Sequence, residues 1–399
     1  MKPWGRLLAL GCLLAAIAAA PSANSKPQRT VILLTMDGVR WDYPSRDDLP
    51  NFARLAREGA KAPRLAPVFP SLTFSSHAAI ATGCSADLHG IISNVFLDRA
   101  ADRRFSDEKE ASWFQEPPLW VLAEQRGLRA AVSGWPCSVG PWRGVSPSYY
   151  HPFGQGGNDG ETERWIEAAL SRDEARRPAL IMAWTGGADG PGHAEGPDSE
   201  EVHRAMIRAD RLLGRLLDFL SRDGRKNYTT LLLASDHGMA RVTRSVDVAS
   251  LIPKRGYYPF IAISGPLCNI YCKNRAQEEA VMRALKGAAP KVSIWRKADL
   301  PPRMRYSCRR TGDIVLLAPP GTTFVPRGGC KSEGAPKGMH GYDPENCPDM
   351  DGIFYAWGAG VTAGTKLPEL TTMDIAPTAC ALLNIQPPPH SAGKSIRLR

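Results

Sequence analysis

Three acidic residues and three histidines of this chain fall into short units whose types suit metal chemistry: Asp37, Asp189-x-x-x-His193, Asp236-His237 and His340-Gly341. Asp37, Asp189 and Asp236 each follow an apolar run, and residues just past the C-terminal ends of strands line the usual site of an α/β sheet. Six nitrogen and oxygen donors suit two zinc-like cations, each with three protein ligands and a shared substrate. Two such cations about 4 Å apart polarise both sides of a phosphoryl group in transfer. An aspartate after a strand is as readily a helix cap, so no single unit carries this assignment; the combination does. His77 and His89 are read as structural, His203 as a surface or packing residue of a long helix, and His151 and His390 have no carboxylate context.

The stretch 31–94 holds the other reactive groups. It opens with the apolar run Val31-Ile32-Leu33-Leu34 before Asp37, passes through Phe69-Pro70-Ser71-Leu72-Thr73-Phe74, and closes on Ser93-Asn94. Residues 76–82 read as the start of a helix, which places the Thr73 hydroxyl just ahead of its mouth. Free N–H groups at a helix N-terminus favour a phosphoryl anion.

The elements that must position these groups interleave from end to end, as in a single layered α/β body. The segments 31–34, 128–132, 179–184, 229–234 and 353–356 read as strands of a mostly parallel sheet, 31–34 as its central, nearly all-apolar member. Helices are expected at 50–59, 118–126, 161–170, 199–219 and 373–383. The one at 199–219 is the clearest, with Val202, Met206, Leu212, Leu213, Leu216 and Leu217 on one face. Residues 137–160 are rich in Gly, Pro, Ser and Tyr and read as a surface loop roofing a cleft. From about 250 to 335 short strands flank a helix at 278–286, which reads as a small inserted subdomain or cap.

With 399 residues, 43% apolar and 23% charged, the chain is long enough for one large core with an insertion. Residues 1–25 combine Lys2 and Arg6 with a short apolar run and small residues. They read as a secretory signal peptide, which predicts a periplasmic or secreted protein without a transmembrane domain after its removal. The remaining catalytic body is 26–399. Of nine cysteines only Cys12 lies in the leader. In an oxidising compartment the rest permit disulfides; Cys330 with Cys347, and Cys308 with Cys268 or Cys272, are the pairings considered, and the pairing is left open. The formal charge of +10 suits a small anionic substrate. No nucleic-acid-binding module is present, and the oligomeric state is left open.

The combined motifs resemble the nucleotide pyrophosphatase/phosphodiesterase (type I phosphodiesterase) family of the alkaline phosphatase superfamily. The matching segments are Leu34-Thr35-Met36-Asp37-Gly38, Phe69-Pro70-Ser71-Leu72-Thr73-Phe74, His89-Gly90-Ile91-Ile92-Ser93-Asn94, Asp189-Gly190-Pro191-Gly192-His193, Ser235-Asp236-His237-Gly238-Met239 and Gly338-Met339-His340-Gly341, in the family's order. The resemblance implies an alkaline-phosphatase-like three-layer sandwich with a small inserted subdomain. It implies two Zn2+ ions, one on Asp189, His193 and His340, the other on Asp37, Asp236, His237 and the Thr73 oxygen. Thr73 then resembles the nucleophile, Asn94 the amide that holds a phosphate oxygen, and Phe74 with Trp184 the aromatic pair around a nucleobase. The implied activity is hydrolysis of phosphodiester or pyrophosphate bonds, first of all in nucleotides. The same scaffold serves choline-phosphodiester or lysophospholipid phosphodiesterases and phosphonoacetate hydrolases, and a non-catalytic exported binding protein is the remote alternative. Departures at Ser75-Ser76, Trp184 and Thr185-Gly186-Gly187-Ala188 leave every ligand in place and bear on the leaving group.

Overall fold

The computed structural model describes residues 28–46, 48–106, 109–153, 159–252, 259–287, 291–326 and 336–399. The expected leader therefore lies outside the described residues. Among those residues, no helix is long and apolar enough to cross a membrane.

The strand Thr30–Met36 is buried at all seven positions because it lies at the centre of an eight-stranded sheet. Leu180–Thr185 and Thr229–Ala234 flank it, both parallel, with Val31 opposite Leu180 and Thr230. Ala130–Ser133 and Tyr149–His151 extend the sheet on one side in parallel. On the other, Phe354–Gly358 runs antiparallel to both Thr229–Ala234 and Ala60–Lys61, and Thr365–Lys366 closes the edge. Alternation splits the central strand between two cores: Val31 and Leu33 pack on one face, Ile32, Leu34 and Met36 on the other. Helices Thr73–Thr82, Leu119–Gln125 and Ile375–Leu383 cover the first face, and Pro50–Glu58 and Glu200–Ser221 the second. This is the three-layer, mostly parallel architecture expected.

Glu200–Ser221 shows how sequence sets such a layer. Ser199 caps it by accepting from the Val202 N–H. Its leucines are fully buried in the second core, each stabilising by roughly 2 kcal/mol. One buried polar residue interrupts the stripe: Asp210 accepts from Asn51 N, Phe52 N and Asn51 Nδ2, and so caps helix Pro50–Glu58 from a neighbouring element.

A second, four-stranded sheet has the order Phe260–Ser264, Leu267–Tyr271, Ile314–Leu317, Ser293–Arg296 and is antiparallel throughout. Helix Arg275–Leu285 packs on one face of it through Val281 and Leu285. That geometry separates the cysteines. Cys268 and Cys272 share the helix-facing side with Ile270, whereas Cys308 packs against the main core beyond the opposite face. All three are free thiols, so neither of the pairings considered for Cys308 forms. Cys347 is also a free thiol; its considered partner, Cys330, lies outside the described residues.

Two local expectations are corrected. The helix expected from residue 76 begins at Thr73, with Leu72 as the extended residue before it, so the hydroxyl stands on the first turn rather than ahead of it. The loop expected over 137–160 contains a strand, Tyr149–His151, because its backbone pairs with the free edge of Ala130–Ser133.

Candidate active site

The three central strands deliver the carboxylates to one edge. Asp37 follows Thr30–Met36, Asp236 follows Thr229–Ala234 by one residue, and Asp189 opens the short helix Asp189–Glu195 after Leu180–Thr185. Two glycines allow the strand ends to touch. Gly38 has φ +67° and lies against Asp189; Gly187 has φ +50°, and a Cβ there would come within 2.2 Å of the Asp37 carbonyl oxygen. The close approach is used: Asp37 N donates to Thr185 O and Ala188 N to Asp37 O.

Around this edge the histidines converge. His193 Nε2 is 3.3 Å and His340 Nε2 3.5 Å from Asp189 Oδ1. His237 Nε2 is 3.4 Å from Asp37 Oδ1, 3.0 Å from Asp236 Oδ2 and 3.1 Å from Thr73 Oγ1. The rings of His237 and His340 stack at 3.6 Å and join the two groups. Asp37, Asp236 and His237 form one set of donor atoms within 4.8 Å of one another, and Asp189, His237 and His340 form another.

The residues fit two cations. Each histidine turns its Nδ1 to a main-chain carbonyl: His193 to Gly338, His237 to Gly238 and His340 to Ser71, each at 2.9 Å. A carbonyl only accepts, so Nδ1 carries the proton and Nε2 presents a lone pair to the carboxylates, the tautomer a metal ligand needs. Asp37 Oδ1, Asp189 Oδ1 and Asp236 Oδ2 are buried without a hydrogen-bond donor, which is costly unless a cation takes that place. Donor separations of about 3.3 Å are also the edges of a tetrahedron with bonds of about 2.0 Å.

The electrostatics agree. Burial, then the charges of Asp236 and Asp189, push the Asp37 carboxyl well above the ordinary carboxylate range. Burial pushes Asp189 the same way, but the neighbouring imidazoles, His193 before His340 and His237, hold it down at about 2. Burial is likewise overcome at Asp236 by His237 and His77, which keep it low. Burial, reinforced by the charge of His237, pulls the His340 ring down to about 3. The strain falls on Asp37, whose buried carboxylate faces two others and would be relieved by added positive charge.

Trp184 Nε1 donates to Asp37 Oδ2 at 2.9 Å, fixing that carboxylate so that Oδ1 faces His237. Phe74 N donates to Asn94 Oδ1 at 3.5 Å, which sets the Asn94 amide beside Thr73 and leaves its NH2 as the donor. The expected aromatic pair of Phe74 and Trp184 gains a third ring in the fold. Phe153 stands between them, edge-on to both, at 5.8 Å from Phe74 and 5.2 Å from Trp184. Tertiary packing decides this, since Phe153 arrives from the strand at the sheet edge; an aromatic in the Gly/Pro-rich stretch was the only signal available.

His77 is structural, as expected, and stands against the site. Its Nδ1–H donates to Thr73 O at 2.9 Å and lies 3.4 Å from Asp236 Oδ2, while Nε2 accepts from Thr35 Oγ1. It ties the hydroxyl-bearing turn to a carboxylate, and its i, i+4 spacing from Thr73 was the legible sign. His89 is structural. It is fully buried, and Nδ1 accepts from Ile91 N. Burial, with the charge of Arg310, pulls its pKa from 6.5 to about 3. The unfolded chain therefore takes up this proton first, and stability is lost as pH falls from about 6.5 toward 3. His89→Asn is expected to flatten that limb of the Tm–pH curve; an unchanged slope would show that His89 is not the group responsible.

This sheet and this paired-donor edge define a metal-dependent phosphodiesterase of the alkaline phosphatase type. The profile of type I phosphodiesterase / nucleotide pyrophosphatase matches residues 31–343. The chain belongs to that family. It is 30% identical over 381 residues to the human bis(5'-adenosyl)-triphosphatase ENPP4, covering 93% of this chain and 81% of the relative. Among solved structures, human ectonucleotide pyrophosphatase/phosphodiesterase 5 superposes with a TM-score of 0.85 at 26% identity, over 92% of this chain and 97% of that one. An inactive form of the murine protein in complex with AMP gives 0.84 at 26% identity, over 91% and 96%.

Proposed function

We propose that this protein is an exported two-zinc hydrolase that cleaves phosphodiester or pyrophosphate bonds of nucleotides through a phosphothreonine at Thr73. The observation that carries this reading is the Thr73 hydroxyl on the first turn of a helix, 3.1 Å from Nε2 of His237, the histidine common to both donor sets. The AMP complex of murine ENPP5 and the triphosphatase name of ENPP4 support a nucleotide substrate. Export rests on the leader read in the sequence.

Asp189, His193 and His340 would hold one cation and Asp37, Asp236 and His237, with Thr73, the other. Bound there, the pair supplies positive charge that favours the alkoxide of Thr73 and offsets charge on the phosphoryl and leaving oxygens. Thr73 Oγ forms a bond to phosphorus as the bond to the leaving oxygen breaks, and the leaving oxygen takes up a proton. Water then cleaves the phosphothreonine, returning the Thr73 hydroxyl and releasing a nucleoside monophosphate. Asn94 donates to a non-bridging oxygen throughout. Phe74 and Phe153 wall the apolar side, with Trp184 behind Phe153.

A substrate panel tests the assignment. p-Nitrophenyl thymidine monophosphate, ATP and a dinucleotide are expected to turn over with zinc, and p-nitrophenyl phosphate at least about 100-fold more slowly. The aromatic trio also suits a quaternary ammonium, so glycerophosphocholine and phosphonoacetate belong in the panel. Turnover of either without nucleotide turnover would overturn the nucleotide assignment.

A further inference from the structure

The hairpin tip Ser264-Gly265-Pro266-Leu267 of the second sheet reaches the active-site edge. Ser264 is buried, and its Oγ accepts from Ser93 Oγ at 2.7 Å and from Val95 N at 3.1 Å. It therefore grips the residues immediately before and after Asn94. Other bonds from the same subdomain continue along the segment. Tyr271 OH accepts from Leu97 N, and Arg310 donates to Gly90 O and Asp98 Oδ2. On its far side the tip is wedged against the other half of the site. Gly265 has φ +58°, and a Cβ there would fall 2.6 Å from Met339 Sδ and 3.1 Å from His340 O; Pro266 lies beneath Gly341. The tip has little room to move, so what it holds is held firmly.

We infer that Ser264 is a positioning residue for Asn94, and that the inserted subdomain contributes to turnover by fixing the amide clamp through it. This rests on the assignment of Asn94 as the group that donates to a phosphoryl oxygen. The main sheet places the carboxylates and helix Thr73–Thr82 places the hydroxyl, whereas the second sheet holds both neighbours of Asn94. In Ser264→Ala, the Ser93 hydroxyl and the Val95 N–H lose a shared acceptor in a buried setting. The segment then adjusts, and a clamp displaced by a fraction of an ångström loses much of its effect.

The test is a double-mutant cycle of Ser264→Ala and Asn94→Ala on the zinc-loaded full chain, reading kcat and KM for p-nitrophenyl thymidine monophosphate, with Tm as control. Ser264→Ala is expected to lower kcat by about tenfold while KM stays within about twofold, and to add less than about twofold on the Asn94→Ala background. Tyr271→Phe, which frees a donor three residues from Asn94, is expected to lower Tm and keep kcat. An unchanged kcat in Ser264→Ala, or a loss that multiplies fully with that of Asn94→Ala, overturns the inference alone. An unchanged kcat in Asn94→Ala overturns the clamp assignment itself, and the inference with it. If Ser264→Ala does not fold, Ser93→Ala removes one side of the grip and is used in the same cycle, with the same outcomes deciding.

Discussion

Thr73→Ala is expected to lower turnover on the order of a thousandfold or more while both cations stay bound. The substitution removes the hydroxyl that stands 3.1 Å from Nε2 of His237, the histidine common to both donor sets. Neighbouring hydroxyls cannot replace it. Ser71 Oγ donates to Tyr342 O and Ser75 Oγ to Ile91 O, each at 2.8 Å, and Ser76 is fully buried. Metal content by elemental analysis should be unchanged, because the six carboxylate and histidine donors are untouched. Thr73→Ser, which keeps the hydroxyl, should retain most of the rate. Residual activity of Thr73→Ala within tenfold of the parent would remove Thr73 as the nucleophile.

Metal removal carries the second large effect. A chelator is expected to abolish turnover and lower Tm, and zinc is expected to restore both. The reason lies in the three buried carboxylate oxygens that have no donor: Asp37 Oδ1, Asp189 Oδ1 and Asp236 Oδ2. Without cations, folding must bring these groups together out of water, and burial first, then the charges of Asp236 and Asp189, drive the Asp37 carboxyl well above its ordinary range. Ions that bind only the folded state at a thousand times their Kd stabilise it by about 4 kcal/mol each. Calorimetry of the zinc-loaded and chelated protein measures this directly. A Tm that ignores the chelator, with activity intact, would show that this edge is not a metal centre. Restoration by magnesium but not zinc would leave the two-metal assignment and change the ion.

The elements that carry these groups were legible in the sequence because their patterns are local. Apolar runs of four to six residues mark strands buried on both faces, and three of them lead to Asp37, Asp189 and Asp236. The stripe of Glu200–Ser221 has the period of a helix against a core. The helix carrying Thr73 was placed three residues late, because Thr73-Phe74-Ser75 has no strong helical signature and Leu72 is no cap by type. Cysteine pairing was not legible: strand alternation put Cys268 and Cys272 on the face away from Cys308, and no spacing rule contains that.

The candidate site divides along the same line. By itself the sequence determined the types of the donors, their order, their attachment to strand ends and the Thr73 hydroxyl, because these are fixed by short motifs and the period of a strand. Only the tertiary structure decided what surrounds them. It set the Nε2 tautomers through the carbonyls of Gly338, Gly238 and Ser71, turned Trp184 into the hydrogen-bond partner of Asp37, brought Phe153 between Phe74 and Trp184, and ran Ser264 in from the second sheet to both sides of Asn94. Each of these contacts joins segments far apart in the chain or depends on the direction a single side chain takes. A hydrogen bond selects by distance and angle in space, and sequence separation carries neither.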